Sequence, residues 1–140
     1  MSKVKYINAA ELKALLAKKP EITICDIRGV GEFNSGHIQN AINIPVSSFD
    51  RAIFKPIKDK DSIVFHCKSG TRTRINEAKL TTAPFKNIYV LKNGISEWQQ
   101  SGGEVIHSAG AGNSLMSNLR IFIALGVIGY IVYHIATTLH

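Results

Sequence analysis

The stretch SIVFHCKSGTRTR, residues 62–74, joins an apolar run to a loop that carries one cysteine, one glycine and several cations. Residues 63–65 are typical of a short buried strand, and a helix is expected from about Thr71. Cys67 therefore stands where the strand ends, and the loop that it opens runs through Arg72 into the helix. The stretch predicts a strand–loop–helix unit with a thiol at its turn.

This loop gathers positive charge around the thiol. Free N–H groups at the start of a helix carry partial positive charge, and Gly70 allows the backbone to curl so that further N–H groups converge. With the Arg72 cation they favour the thiolate and lower its pKa, whereas an inert buried cysteine would need none of them. The candidate site is the nucleophile Cys67 with the anion-binding residues Lys68, Ser69, Gly70, Thr71 and Arg72.

Short β-branched runs alternate with helical patterns along the first hundred residues. Strands are predicted at residues 4–7, 22–25, 41–44, 62–66 and 88–91. Helices are predicted at residues 9–18, 30–35, 48–53, 71–82 and 95–101, the first opened by an Asn8–Glu11 capping box. The alternation predicts an α/β fold with a largely parallel sheet covered on both faces, and ligands collect at the carboxyl ends of such strands.

Composition limits the partners and cofactors. The chain has 140 residues, with 17 Lys and Arg against 10 Asp and Glu, a formal charge of +7. No zinc finger, RGG repeat or aromatic–basic stripe accompanies this charge, so nucleic acid is not expected as a partner. The two cysteines, Cys25 and Cys67, lack CxxC or metal-ligand spacing, which predicts a reducing compartment, no metal site and no cofactor.

The chain changes character near residue 101. We assign residues 1–105 to the globular domain, 106–118 to a flexible linker rich in small residues, and 119–140 to a transmembrane helix. The nineteen residues from Ile121 to Leu139 contain no Lys, Arg, Asp or Glu. As a helix they would reach about 29 Å, close to the hydrocarbon thickness of a bilayer. A buried core helix is the alternative, but apolar residues surround the whole segment.

The residues that flank this segment predict its orientation. Arg120 precedes it, most Lys and Arg lie upstream, and only His140 follows, which favours a single-pass protein whose catalytic domain faces the cytoplasm. Gly126 and Gly129 permit helix pairing without specifying it, so a homodimer is possible.

Three pieces, in order, resemble the rhodanese-homology family of single-domain thiosulfate sulfurtransferases, of the membrane-anchored bacterial type. They are CDIRGVGEFNSGHIQNAINIP (residues 25–45), HCKSGTRTR (66–74) and VLKNGISEW (90–98). Asn40 and Asn93 stand where the family has glycine, and asparagine is the residue most tolerant of positive φ after glycine. The resemblance implies five parallel strands with flanking helices, a bacterial inner membrane location, and adjacent strands for the two cysteines.

The resemblance also implies a reaction. Cys67 would take sulfane sulfur from thiosulfate or a similar donor as a persulfide and pass it to cyanide or a thiol acceptor. Phosphatase and arsenate-reductase relatives have Cys-x5-Arg, whereas Cys67 and Arg72 are separated by four residues, which favours sulfur transfer. The alternative is a membrane-tethered redox or persulfide sensor or carrier that acts through modified Cys67.

Several residues near these motifs are expected to serve the scaffold. Asp26, Arg28 and Glu32 are interpreted as ion-paired scaffolding, with a local pair between Arg28 and Glu32 four residues apart. His66 is expected in the core, facing away from Cys67 because side chains alternate along a strand.

Four further residues are assigned by their settings in the sequence. His37 is expected to be a structural hydrogen bonder, Trp98 the anchor of the last helix and Arg74 a surface cation. Cys25 is expected to be a buried apolar residue, with a resolving-thiol role as the alternative.

Overall fold

The computed structural model describes residues 3–107. Its strands are β1 (Val4–Ile7), β2 (Thr23–Asp26), β3 (His37–Ile38), β4 (Ile42–Asn43), β5 (Ser62–His66), β6 (Asn87–Leu91) and β7 (Val105–Ile106). Its helices are α1 (Ala9–Lys18), α2 (Val30–Ser35), α3 (Thr71–Ile75), α4 (Glu77–Leu80) and α5 (Gly94–Gln100). Two 3₁₀ turns, Val46–Ser48 and Arg51–Phe54, precede β5.

Five strands form one parallel sheet in the order β1-β6-β5-β2-β4. Its central strand β5 is buried at every position, as expected for a parallel sheet covered on both faces. The predicted α/β fold with five parallel strands is confirmed. Because the strands run in the same direction, the loop after β5 opens at the middle of the carboxyl edge.

Alternating side chains of the strands divide the core into two layers. Phe65 of β5 packs in one layer with Leu80 of α4, whereas Val64 packs in the other with Leu12 of α1 and Trp98 of α5. Helices therefore cover both faces, as predicted, and burial of these apolar side chains stabilises the sheet that carries the loop.

Helix α1 begins and ends at the residues predicted from the sequence, Ala9 and Lys18. The side chain of Asn8 accepts a hydrogen bond from the Glu11 N–H at 2.8 Å, and the Glu11 carboxylate accepts from the Asn8 N–H at 3.2 Å. Two of the free N–H groups at the start of the helix are satisfied in this way, so a local signal suffices to fix the helix start.

The helix predicted at residues 71–82 is interrupted. It divides at Asn76, whose φ and ψ of −102° and 17° are not helical. The Asn76 side chain donates to the Arg72 carbonyl oxygen at 2.8 Å, which the Asn76 N–H also contacts at 3.0 Å. Asparagine competes in this way with regular helical hydrogen bonds, and the chain turns from α3 into α4.

Two other local predictions differ from the structure. The helix predicted at residues 48–53 is replaced by the two 3₁₀ turns. Strands β3 and β7 form a separate antiparallel pair that the sequence analysis missed, with His37 opposite Ile106. Both strands have only two residues, too short for an alternation pattern to be recognised.

The predicted linker and transmembrane helix lie almost wholly outside the described residues. Among residues 3–107, no helix has the length and hydrophobicity needed to cross a membrane.

Candidate active site

Strand β5 ends at His66, so Cys67 is the first residue of the loop and lies at its floor. The Cys67 side chain is only 1% exposed. The Gly70 N–H donates a hydrogen bond to the Cys67 sulfur at 3.1 Å. The Thr73 hydroxyl lies 3.8 Å from the same sulfur and 2.9 Å from the Gly70 carbonyl oxygen, so its one proton can be donated to either acceptor. The sulfur is thus contacted by groups from the loop and the first turn of α3.

These contacts set the ionisation of the thiol. Burial alone raises the pKa of Cys67, because a buried thiolate loses its hydration. The N–H and hydroxyl groups of Thr73 and the N–H groups of Gly70 and Arg72 outweigh that effect, so the pKa lies below its ordinary value. A lowered thiol pKa increases the thiolate fraction, which is the nucleophilic form.

Two glycines allow the thiol loop and the segment after β6 to pack closely against each other. Gly70 has φ of +94°, and a Cβ there would lie 1.9 Å from the Lys92 carbonyl oxygen. Gly94 has φ of +63°, and a Cβ there would lie 2.4 Å from the carbonyl oxygens of Cys67 and Lys68. Only glycine fits these positions, since each combines a left-handed backbone with close approach to another chain segment.

Helix α5 is bonded to the same loop. The Ile95 N–H donates to the Cys67 carbonyl oxygen at 3.0 Å, and the Ser96 N–H donates to the Lys68 carbonyl oxygen at 3.0 Å. The carbonyl groups of the thiol loop therefore cap the start of α5. The sequence analysis missed this role of Gly94 and α5, although the Asn93-Gly94 turn signal marked the place.

The two asparagines at expected glycine positions behave differently. Asn40 adopts φ of 64°, the left-handed conformation that asparagine tolerates best after glycine. Asn93 has φ of −111° and needs no such tolerance, because Gly94 takes the positive φ of that turn.

The Arg72 side chain is paired with a carboxylate. Its guanidinium makes a two-pronged ion pair with Glu32, with nitrogen–oxygen distances of 2.7 and 2.8 Å. The Arg72 backbone N–H helps to lower the pKa of Cys67, and the guanidinium, although paired with Glu32, also interacts electrostatically with the Cys67 thiolate. Arginine favours such planar pairing with a carboxylate, and Glu32 is the carboxylate within reach.

The predicted pair between Arg28 and Glu32 is wrong. Arg28 instead pairs with Asp26 at 2.7 Å and donates to the Gly36 carbonyl oxygen at 2.6 Å. Asp26 is fully buried, and the nearly buried Arg28 supplies the compensating charge that a buried carboxylate requires. The scaffolding interpretation of Asp26 and Arg28 agrees with these contacts.

The remaining predicted loop residues lie at the mouth. Lys68, Ser69 and Thr71 are exposed, and the Ser69 and Thr71 hydroxyls lie 3.4 Å apart. Lys68 lines a small pocket of about 150 Å³ together with Arg28 and Glu32. The loop thus has an amide-lined floor at Cys67 and polar side chains at its rim.

His66 is fully buried, as predicted. Its Nδ1 lies 3.0 Å from the Cys67 carbonyl oxygen, to which it donates, and its Nε2 lies 3.7 Å from the Asp26 carboxylate. Burial lowers the pKa of His66, so the neutral imidazole is favoured. His66 thus supports the loop backbone rather than the sulfur.

Cys25 is fully buried on the strand next to that of Cys67, opposite Phe65. The two-residue offset along β5 places the Cα atoms of Cys25 and Cys67 about 8 Å apart by strand geometry, too far for a disulfide without backbone movement. Both cysteines are free, and burial raises the pKa of the Cys25 thiol. Cys25 packs as an apolar core residue.

Three further side chains occupy the settings predicted for them. His37 contacts the Phe33 carbonyl oxygen at 2.9 Å through Nδ1 and stacks on the Phe33 ring, so its structural role is confirmed. Trp98 is buried beside Gly103 and donates to the Glu104 carbonyl oxygen at 3.0 Å, which anchors α5. Arg74 is exposed, as predicted.

Comparison with known proteins identifies the family of this domain. Residues 8–101 match the sequence model of the rhodanese-like domain. The chain belongs to the rhodanese-like domain family. All three motif pieces of the sequence analysis fall inside the matched region.

Relatives of this rhodanese-like domain carry different names. The chain is 31% identical over 118 residues to "Dual specificity phosphatase Cdc25" from Arabidopsis thaliana, covering 76% of this chain and 80% of the relative. It is 31% identical over 99 residues to "tRNA uridine(34) hydroxylase" from Buchnera aphidicola subsp. Baizongia pistaciae, covering 66% of this chain and 31% of the relative. The chain therefore spans less than a third of the hydroxylase.

A solved structure shares the fold. The crystal structure of thiosulfate sulfurtransferase from Pseudomonas aeruginosa is 25% identical, with a TM-score of 0.65 over 75% of this chain and 20% of that one. Because the relatives' names span several reactions, family membership supports cysteine-based chemistry and leaves the particular reaction to the site.

Proposed function

We propose that this rhodanese-like domain is a sulfurtransferase that moves sulfane sulfur from thiosulfate or a similar donor to a thiol or cyanide through a Cys67 persulfide. The observation that carries the proposal is the thiol on the floor of an amide-lined loop, with the Gly70 N–H 3.1 Å from the sulfur. Such N–H groups stabilise the thiolate and can hold the charge of the persulfide that replaces it.

The reaction has two half-reactions. The Cys67 thiolate attacks the outer sulfur of thiosulfate, a new S–S bond forms, and sulfite leaves with the electron pair of the broken S–S bond. An acceptor nucleophile then attacks the outer sulfur of the persulfide and releases the thiolate, giving thiocyanate from cyanide or a new persulfide from a thiol. The two steps balance without an external electron donor, because the sulfur is exchanged between nucleophiles.

The rim supports sulfur transfer over phosphate transfer. A transferring phosphoryl group needs cationic groups aimed at its equatorial oxygens. Here the Arg72 guanidinium is held by Glu32, and the loop has four residues between Cys67 and Arg72. Because a plant relative is named a phosphatase, phosphate hydrolysis is included in the test as the alternative reaction.

Intact-protein mass spectrometry after exposure to thiosulfate tests the proposal. We expect one added sulfur on the wild type and on Cys25→Ser, none on Cys67→Ser, and its release by cyanide as thiocyanate. The same samples are assayed with p-nitrophenyl phosphate. Phosphate release without sulfur loading, or loading that persists in Cys67→Ser, would reject the sulfurtransferase proposal.

We also propose, from sequence alone, that the catalytic domain faces the cytoplasm from a bacterial inner membrane. The support is the uncharged apolar run from Ile121 to Leu139 and the basic excess upstream of it. Alkaline carbonate extraction of membranes that contain the full chain should leave it in the pellet. Complete release into the supernatant would reject the anchor.

A persulfide sensor or carrier is the second candidate. The observation that favours it is the pair of hydrogen bonds from α5 to the carbonyl groups of Cys67 and Lys68, because a change at the sulfur that shifts the loop would reach α5. Slow turnover combined with partner binding that depends on the modified Cys67 would favour this candidate. Fast turnover with unchanged partner binding would reject it.

A further inference from the structure

We infer that Glu32 sets the preference of the site among sulfur donors that differ in charge. By holding Arg72 in an ion pair, it favours donors that carry one negative charge, such as thiosulfonates, over dianions such as thiosulfate. The inference rests on the proposed sulfurtransferase function and names a donor preference within it.

The ion pair involves Arg72, the last residue of the thiol loop, whose charge also interacts with that of Cys67. Both terminal nitrogens of Arg72 contact the Glu32 carboxylate, and the two side chains are 39% and 40% exposed. Glu32 lies in the first turn of α2 and Arg72 at the start of α3, so the pair links two helices. A donor that enters the loop therefore meets an arginine whose hydrogen-bonding edge is already occupied.

The charge balance of the rim follows from this pairing. The Arg72 hydrogen bonds lower the pKa of Glu32 to about 2, so the carboxylate stays ionised in the neutral pH range. Arg28 lines the small pocket that also contains Glu32 and Lys68, and its charge is compensated by Asp26. Of the Lys and Arg side chains that line this pocket, Lys68 is the one with no carboxylate within ion-pair distance among residues 3–107.

Other polar and charged groups lie around the loop. His107 lines the same pocket and contacts the Ser35 carbonyl oxygen at 2.5 Å through Nδ1. Arg74 and Lys92 line a separate groove that also contains Glu11. These groups are unchanged by a substitution at Glu32, so the effect of that substitution reports on the Glu32–Arg72 pair.

Removing the Glu32 charge should help a dianion more than a monoanion. The guanidinium, no longer neutralised by the carboxylate, can then bind the donor, and it attracts a dianion more strongly than a monoanion. For partly exposed charges several ångströms apart, we expect a change of about three- to tenfold in relative rate. Added salt should reduce the change, because the groups are exposed to solvent.

The test compares thiosulfate with methanethiosulfonate, which presents the same outer sulfur with one charge fewer and releases sulfinate instead of sulfite. The kcat/KM for loading Cys67 is measured with both donors at fixed ionic strength. In Glu32→Gln the ratio of thiosulfate to thiosulfonate should rise about three- to tenfold over the wild type. Glu32→Ala should shift the ratio in the same direction, which guards against a residual glutamine contact.

Two controls isolate the pair. Glu21→Gln removes the same charge from an exposed residue at the opposite edge of the sheet and should leave the ratio unchanged. In an Arg72→Met background, Glu32→Gln should have little further effect, because the guanidinium through which Glu32 acts is gone. The pH profile of Cys67 alkylation gives a readout that does not depend on donors, and Glu32→Gln should lower the thiol pKa.

The outcomes separate this inference from the function beneath it. Loading by both donors with an unchanged ratio in Glu32→Gln overturns the inference and leaves the sulfurtransferase proposal standing. An equal ratio change in the Arg72→Met background also overturns it, since Glu32 would then act without Arg72. Failure of the wild type to load sulfur from either donor rejects the proposed function, and this inference with it.

Discussion

The two cysteines of this domain lie on neighbouring strands of one sheet and have opposite chemistry. Cys25 and Cys67 are 0% and 1% exposed, and both belong to the same core layer. Burial raises the pKa of Cys25, whereas hydrogen bonds from the loop and α3 bring the pKa of Cys67 below its ordinary value despite burial. Burial alone therefore does not decide whether a thiol is reactive.

The difference lies in where each strand places its cysteine. Cys25 is inside β2, where the surrounding N–H groups are largely used by the sheet. Cys67 is one residue beyond β5, where the first turn of α3 has N–H groups without helical partners. Because Cys67 lies two register positions further along than Cys25, past the end of its strand, it gains those donors and becomes a candidate nucleophile.

The largest expected contrast is in alkylation of the native protein. Iodoacetamide should modify Cys67 at a rate that rises with pH and levels off above its lowered pKa, at a lower pH than in the unfolded chain. Cys25 should react on the order of a thousandfold more slowly, because it must wait for the core to open. Peptide mapping by mass spectrometry measures both rates, and comparable labelling of Cys25 would contradict the comparison.

The next largest effect is expected from Gly70→Ala. The added Cβ meets the Lys92 carbonyl oxygen and sits on a residue with φ of +94°, so the loop must shift and its N–H leaves the sulfur. We expect Cys67 alkylation at neutral pH to slow by tenfold or more, and unfolding to become easier by about 1–3 kcal/mol. Gly31→Ala is the matched control, since a Cβ there meets nothing within 4 Å. Equal effects of the two substitutions would show that the loop does not depend on Gly70.

Thr73→Val should produce a smaller change. It keeps the shape of a buried side chain and the backbone N–H, but removes the hydroxyl 3.8 Å from the Cys67 sulfur. The thiol pKa should rise, and alkylation below that pKa should slow by about threefold, equivalent to roughly half a pKa unit. Thr71→Val, at an exposed position of the same helix, should leave the pH profile in place. An unshifted profile in Thr73→Val would assign the lowered pKa to the N–H groups alone.

Cys25→Ser should have the smallest effect on Cys67. Sulfur loading should stay within about twofold of the wild type, because Cys25 contributes no donor to the loop. Stability should fall by about 1–3 kcal/mol, because the serine hydroxyl is buried more unfavourably than the thiol. Chemical denaturation and loading kinetics measure the two effects separately. Loading that slows in step with Cys25 replacement would restore the resolving-thiol hypothesis.

Local features were predictable from sequence because their causes are local. The capping box of Asn8 and Glu11 fixes the start of α1, and the apolar run before His66 fixes β5. The strand–loop–helix unit around Cys67 follows from the order of an apolar run, a glycine and a helical segment. Each of these depends on residues a few positions apart, whose geometry the backbone itself determines.

The partners of charged and close-packed groups were decided only by the tertiary structure. Spacing suggested that Glu32 pairs with Arg28, but the folded chain brings Arg72, forty residues away, to Glu32. Gly94 is required because α5 begins against the Cys67 carbonyl oxygen, a contact that no local pattern contains. Sequence spacing gives distances along one element, whereas an ion pair or a close approach needs the orientation of two elements, and packing of the shared core sets that orientation.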